Sequence, residues 1–207
     1  MNMIIVGITG GSGSGKTTLV EKLINGIPQG MVKVLSQDAY YWDRGHISKE
    51  ERLKINFDHP DSIEWDLLIG HIENLRQGNH VEMPRYDYAT SSRMNETIHL
   101  QPSKLLIVEG LLIFTNKSVR QMLDLKVFVD TSPSERLKRI IERDTIFCGR
   151  TIEMALRHYE TYVKPMHDLF IEPAKLHADV VIPDGGLNLP AVGLLIDRIN
   201  ELILKEH

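Results

Sequence analysis

One octapeptide, Gly10-Gly11-Ser12-Gly13-Ser14-Gly15-Lys16-Thr17, restricts the possible folds of this chain more than any other stretch. It meets the pattern G-x-x-x-x-G-K-[ST] at every fixed position. It follows the apolar run Met3-Ile4-Ile5-Val6-Gly7-Ile8 and precedes the helical pattern Thr18-Leu19-Val20-Glu21-Lys22-Leu23-Ile24. A strand, a glycine-rich turn and a helix in that order are the context this motif requires. Without Cβ atoms the loop curls around an anion and reaches positive φ at no steric cost. Its N–H groups, with those of the helix N-terminus, then face the phosphates. The stretch Gly10, Gly11, Ser12, Gly13, Ser14, Gly15, Lys16, Thr17 and Thr18 is therefore read as the nucleotide-binding loop. Lys16 is expected to reach the β- and γ-phosphates, and the Thr17 hydroxyl to ligate Mg²⁺. A dinucleotide loop wants G-x-G-x-x-G; counted from Gly11 and Gly13, the third position falls on Lys16, so that reading fails.

Apolar runs recur between helical patterns along the rest of the chain. Met31–Leu35, Leu105–Val108, Leu125–Asp130 and Ala178–Ile182 read as strands, and the unbroken run Leu105-Leu106-Ile107-Val108 suits a parallel strand buried on both faces. Helices are expected from about Asp61 to Gln77, with Asp61 as the cap, from Pro133 to about Asp144, with Ser132 as the cap, and from about Leu189 to Leu204. Val81–Met83 and Thr97–Leu100 flank a polar loop and suggest a hairpin, over about 80–100, laid against the main sheet. Strands alternating with helices imply an α/β protein with a parallel central sheet covered on both sides. At 207 residues, 42% hydrophobic and 25% charged, the chain is long enough for one domain with a useful core.

Charge and cysteine content exclude several function classes. A net charge of −4 disfavours wholesale nucleic-acid binding. Five of the twelve arginines nonetheless fall between Arg136 and Arg157, a local patch suited to phosphates. The single cysteine, Cys148, permits no intramolecular disulfide, and no apolar run is long enough to cross a membrane. With no signal-peptide pattern ahead of the first strand, a cytoplasmic location is expected.

In an open parallel sheet, ligands bind beyond the carboxyl ends of the strands. Asp38 follows the second strand and Glu109 follows Leu105–Val108, so both are expected at the rim that carries the phosphate loop. Phosphoryl transfer needs a metal clamp and a group that orients or deprotonates the nucleophile, tasks that Asp38, Glu109 and Thr17 would share. Asp58 is a carboxylate suited to paired sugar hydroxyls, whereas His59 reads as a structural hydrogen-bonding residue. Tyr86 and Tyr88 offer aromatic faces beside a loop. Arg136, Arg139 and Arg143 share one helix face, and Arg139 and Arg143 are the two favoured as phosphate ligands. The polar segment of about 142–162 suits a lid.

Taken together, these blocks resemble the uridine–cytidine kinase family, within the larger group that includes phosphoribulokinase. The resemblance runs over nearly the whole chain. Besides the glycine loop it rests on Leu35-Ser36-Gln37-Asp38-Ala39-Tyr40-Tyr41, Asn56-Phe57-Asp58-His59-Pro60-Asp61, Tyr86-Asp87-Tyr88, Val108-Glu109-Gly110-Leu111-Leu112 and Tyr162-Val163-Lys164-Pro165-Met166. It implies a single three-layer P-loop NTPase domain over 1–207, with a small β-hairpin insertion and an arginine-bearing helical lid. It also implies transfer of a phosphoryl group from ATP (or GTP), with Mg²⁺, to the 5′-hydroxyl of a pyrimidine ribonucleoside, uridine or cytidine, giving the monophosphate, and a homo-oligomer with neither nucleic acid nor membrane as partner. By the same resemblance Asp38 is the general base, Thr17, Glu109 and Asp38 lie around the metal, and Lys16, Arg139 and Arg143 serve the transferring phosphate. Asp58 takes ribose hydroxyls, while Tyr86, Tyr88, Ser91, Arg150 and His158 line the acceptor site.

Departures from the family pattern cluster at the acceptor end. The base-reading histidine of a His-[Ser/Thr]-Arg triplet falls on Ser91 of Ser91-Ser92-Arg93. A lid arginine is lost at Phe147-Cys148-Gly149-Arg150, a ribose-side arginine falls on Ile140, and a glutamine near the substrate falls on His158. They leave open a kinase of another nucleoside or a sugar-like alcohol, and a non-catalytic nucleotide-binding regulator.

Overall fold

The structure is a computed structural model that describes residues 3–52, 55–87, 90, 92–147 and 149–205. Its centre is a five-stranded parallel sheet in the order β2-β5-β1-β6-β7. The strands are β1 (Ile4–Gly10), β2 (Val32–Ser36), β5 (Leu105–Glu109), β6 (Leu125–Asp130) and β7 (Val180–Pro183). Residue alternation assigns each face. Ile4, Val6 and Ile8 of β1 pack with Leu19 and Leu23 of α1 (Lys16–Gly26) and with Val192, Leu195 and Ile199 of the closing helix over Leu189–Lys205. Ile5, one residue out of phase, faces the other layer, with Leu68, Ile72 and Leu75 of α2 (Trp65–Arg76). β1 and β5 are buried on both sides, which is why their sequences show no polar alternation.

Two helix boundaries differ from expectation. The helix expected from Asp61 begins at Trp65 instead; Asp61 lies in a short 3₁₀ turn, Pro60–Ser62, and its carboxylate is exposed. The capping position of that turn belongs to His59, whose Nδ1 accepts from the Asp61 N–H at 3.1 Å, the structural role its sequence position suggested. Asp61 is taken up inside that 3₁₀ turn, and Glu64 occupies the capping position of the α-helix. The hairpin is laid against the main sheet without joining it. β3 (Val81–Asp87) and β4 (Ser92–Leu100) form their own two-stranded antiparallel sheet, longer than the apolar residues alone indicated. Their inward residues Val81, Met83 and Leu100 pack into the α2 side of the core. Secondly, the Pro133 helix, capped by Ser132 as expected, runs on to Phe147; with α3 at Lys117–Met122 it is α4. α5 (Ile152–His158) follows, then widened helical turns at Tyr159–Val163 and His167–Ile171. Ile140, where the family pattern has a ribose-side arginine, is fully buried against Tyr159 and Val163.

Candidate active site

The glycine loop closes on itself between β1 and α1. Gly13 and Gly15 have φ of 74° and 92°, conformations that a Cβ would strain, and Gly15 sits at the capping position of α1. Thr131 at the end of β6 donates to the Ser14 carbonyl at 3.0 Å, which ties the loop to the sheet. Lys16 turns its ammonium over the loop and donates to the carbonyls of Gly10 at 2.9 Å and Gly11 at 3.2 Å. Thr17 is exposed on the first turn of α1, followed by the half-buried Thr18.

The carboxylates arrive from neighbouring strands. β2 and β5 run parallel, with Ser36 opposite Glu109, and the Ser36 hydroxyl donates to Glu109 Oε1. Asp38 lies one turn beyond β2, half-buried, with the Tyr41 hydroxyl 3.4 Å from Oδ1. The preceding Gln37 is fully buried, and its Oε1 accepts the Leu112 N–H at 2.7 Å, which clamps the loop after β2 to the loop after β5. Asp58 comes from the turn before α2.

These groups act on one another. Loss of hydration lowers the Lys16 pKa, and Glu109 and then Asp38 pull it back up. Burial raises Glu109, the Asp38 charge raises it further, and the Ser36 bond and Lys16 oppose both effects. Burial and then Asp38 push Asp58 up to about 6, against the attraction of Arg143 and Lys16. Three carboxylates thus lie within electrostatic reach of Lys16, and one of them, Asp58, within reach of Arg143. Oxygen donors with surplus negative charge fit a hard divalent cation such as Mg²⁺. Glu109, Asp38 and Thr17 are the residues that would hold it.

α4 brings its arginines to the same loop. Arg139 donates to the Gly13 carbonyl at 3.3 Å while pairing with Glu135 at 3.0 Å, and Arg143 donates to Ser12 Oγ at 3.3 Å. Arg136, on the same face, is only 4% exposed. Sequence inspection did not single out Asp144, which organises this corner. Its carboxylate is fully buried, receives the Arg143 fork on Oδ1 at 3.0 and 2.9 Å, and receives Arg150 on Oδ2 at 2.6 Å. Burial and then Arg150 lower the pKa of His158, with Asp144 opposing and Arg143 adding to the effect; its ring lies 5.4 Å from that of Tyr162. Arg143, Arg150 and His158 therefore belong to one cluster beside the loop.

At the hairpin, Tyr86 packs in an aromatic group with Tyr41 at 5.1 Å and Phe57 at 6.4 Å. Its register partner Arg93 pairs with Glu64 at 2.6 Å, which fastens β4 to the start of α2. Tyr88 and Ser91 lie outside the described residues. Ser36, Gln37 and Asp144 are the contributors that sequence reading missed. For Ser36 a signal existed, since it ends its strand as Glu109 ends the next. Asp144 looked like any other member of the charged run Glu142-Arg143-Asp144.

The phosphoribulokinase/uridine kinase family profile matches residues 5–190. A uridine kinase of Staphylococcus haemolyticus (strain JCSC1435) is 44% identical over 205 residues, covering 99% of both chains. One from Staphylococcus epidermidis (strain RP62A) is 44% identical over 202 residues and 98% of both. Among solved structures, the phosphoribulokinase of Rhodobacter spheroides superposes with a TM-score of 0.65 at 16% identity, over 88% of this chain and 70% of that one, a likeness of fold.

Proposed function

The chain belongs to the phosphoribulokinase/uridine kinase family, and we propose that it transfers the γ-phosphoryl group of ATP to the 5′-hydroxyl of a pyrimidine ribonucleoside, uridine or cytidine, giving the monophosphate. It is a phosphotransferase with an alcohol acceptor. The observation that carries the residue assignments is the convergence of Asp38, Asp58 and Glu109 on Lys16 beyond the ends of β2 and β5.

Phosphoryl transfer asks little covalent chemistry of a protein and much positioning and charge stabilisation. Asp38 accepts the proton of the acceptor hydroxyl as the oxygen attacks. Tyr41 and the Gln37–Leu112 clamp hold that carboxylate at the rim. Lys16 leaves its loop carbonyls for the phosphate oxygens, and Arg139 and Arg143 offer planar forks to the charge that spreads over the transferring group. A divalent cation at Glu109, Asp38 and Thr17 supplies charge neutralisation when bound. Asp58 takes the ribose hydroxyls. Tyr86, Arg150 and His158, with Tyr88 and Ser91, line the acceptor end. The segment of about 142–162 serves as the lid that excludes water, which would otherwise take the phosphoryl group.

Phosphorylation over a panel of nucleosides and sugars, with product identification, tests the acceptor. Uridine and cytidine turnover is expected. Their failure beside strong turnover of another alcohol would assign a different acceptor. Asp38→Asn tests the base: acceptor-dependent turnover should fall about 10²–10⁴-fold with ATP binding retained. A wild-type chain that binds ATP without any acceptor-dependent turnover would be a regulator.

A further inference from the structure

The outer face of the β3–β4 hairpin carries a group of side chains that phosphoryl transfer does not use. Along β3, Val81 and Met83 turn inward and Glu82 turns out; along β4, Leu100 turns inward and His99 turns out. Glu82 and His99 are direct register partners across the two strands. His80, the residue before β3, places its ring 4.7 Å from that of His99, centre to centre. One ligand atom from each of His80, Glu82 and His99 lies within 4.8 Å of the other two, and among the described residues no other group of three or more such side chains meets that spacing.

We propose that His80, Glu82 and His99 form a binding site for a divalent transition metal of the Zn²⁺ class, separate from the oxygen-rich set around Lys16. The donor set decides the class. Two imidazoles and one carboxylate suit Zn²⁺, Co²⁺, Ni²⁺ or Cu²⁺, whereas Mg²⁺ and Ca²⁺ take oxygen ligands. Three protein ligands leave a fourth position for water. Tetrahedral bonds of about 2.0–2.1 Å put ligand atoms roughly 3.3 Å apart. All three side chains are exposed, so the contraction from the present spacing needs only rotations unopposed by packing.

The surroundings hold these ligands in place. Thr97 Oγ1 donates to Glu82 Oε2 at 2.6 Å, leaving Oε1, 2.6 Å from His99 Nδ1, toward the cluster. On the far side of the same ring, His99 Nε2 lies 2.5 Å from the Gln101 side-chain amide. In the metal-free structure the Gln101 amide nitrogen donates to Nε2; with Nδ1 on a metal, Nε2 would carry the proton and the Gln101 amide would turn its oxygen to accept it, the tautomer-fixing arrangement that metal-bound histidines require. A bound ion would also tie β3, β4 and the residue entering β3 together. That matters because this sheet has only two strands, a marginal unit on its own, and carries Tyr86 and Arg93 further along.

The untagged full chain, titrated with Co²⁺ in excess Mg²⁺ and followed by the visible d–d absorption, with Zn²⁺ calorimetry in parallel, tests this. One saturable equivalent per chain in the micromolar range is expected. His80→Ala and His99→Ala should each weaken it more than tenfold. Gln101→Leu and Thr97→Val, which touch no metal, should weaken it roughly 10–100-fold. Glu109→Gln should leave it unchanged. The variants on the outer face sit on exposed side chains, and unchanged circular dichroism and unchanged turnover in Mg²⁺ buffer freed of transition metals would show intact folding. Absence of saturable binding, binding that survives His99→Ala, or binding removed by Glu109→Gln would overturn the assignment.

Discussion

Replacing Asp144 by asparagine isolates the one buried charge that holds the arginine cluster. The wild-type carboxylate takes three charge-assisted hydrogen bonds, two from Arg143 and one from Arg150, while its own side chain is 1% exposed. Each such bond is worth about 1.5–3 kcal/mol, and leaving a buried pair half-removed costs about 3–5 kcal/mol. Asparagine keeps an acceptor for the Arg143 fork but turns an N–H₂ toward the Arg150 guanidinium, donor against donor. Arg143 and Arg150 are 50% and 29% exposed and recover part of their hydration, so the upper range does not apply. The net expectation is a loss of about 2–4 kcal/mol, read by urea unfolding. Activity should suffer beyond that loss. Arg143 reaches Ser12 of the phosphate loop, and a misplacement of about 1 Å at a reacting centre costs on the order of 10² in rate. With the protein kept folded below its transition, kcat should fall about 100-fold. In a double-mutant cycle with Arg143→Ala the two changes should be strongly non-additive. Unfolding within about 0.5 kcal/mol of wild type together with an unchanged kcat would refute Asp144 as the organiser of this corner.

Three further outcomes follow from the same geometry. Asp58 keeps its proton to about pH 6 when folded, against 3.8 for the ordinary side chain, so the native state binds more protons between those values and stability falls as pH rises through that window; Asp58→Asn should therefore melt higher than wild type at pH 7, lose that margin near pH 4, and raise KM for the nucleoside, whereas a pH-independent difference in Tm would contradict it. Gly110→Ala would drive a Cβ to 2.6 Å from Gln37 Oε1 and 2.8 Å from Gln37 Cδ, and Gln37 is fully buried with no room to retreat. It should destabilise by about 1–3 kcal/mol and lower kcat by displacing Asp38, and wild-type kinetics would show the clamp to be idle. Arg93→Leu breaks the pair with Glu64, both partners being at most 25% exposed, and should cost about 1–3 kcal/mol with faster amide exchange along β3 and β4; exchange unchanged in the hairpin would remove Arg93 as its anchor.

The sequence alone determined the phosphate loop, the strand at Leu105–Val108 and the reactive positions that follow strands. Each depends on neighbours within a few residues: glycine's access to positive φ, an unbroken apolar run, a carboxylate one step beyond it. The tertiary structure alone decided which carboxylates meet Lys16, that Arg136 turns inward while Arg139 and Arg143 reach the loop, and that Asp144 rather than a surface partner binds two of the arginines. It also decided that β3 and β4 pair only with each other, which sets Glu82 opposite His99 and both beside His80. A run such as Glu142-Arg143-Asp144 offers many equivalent pairings in an extended chain. Strand register and the crossing of α4 over the glycine loop select one of them, because burial leaves a charge no substitute in water.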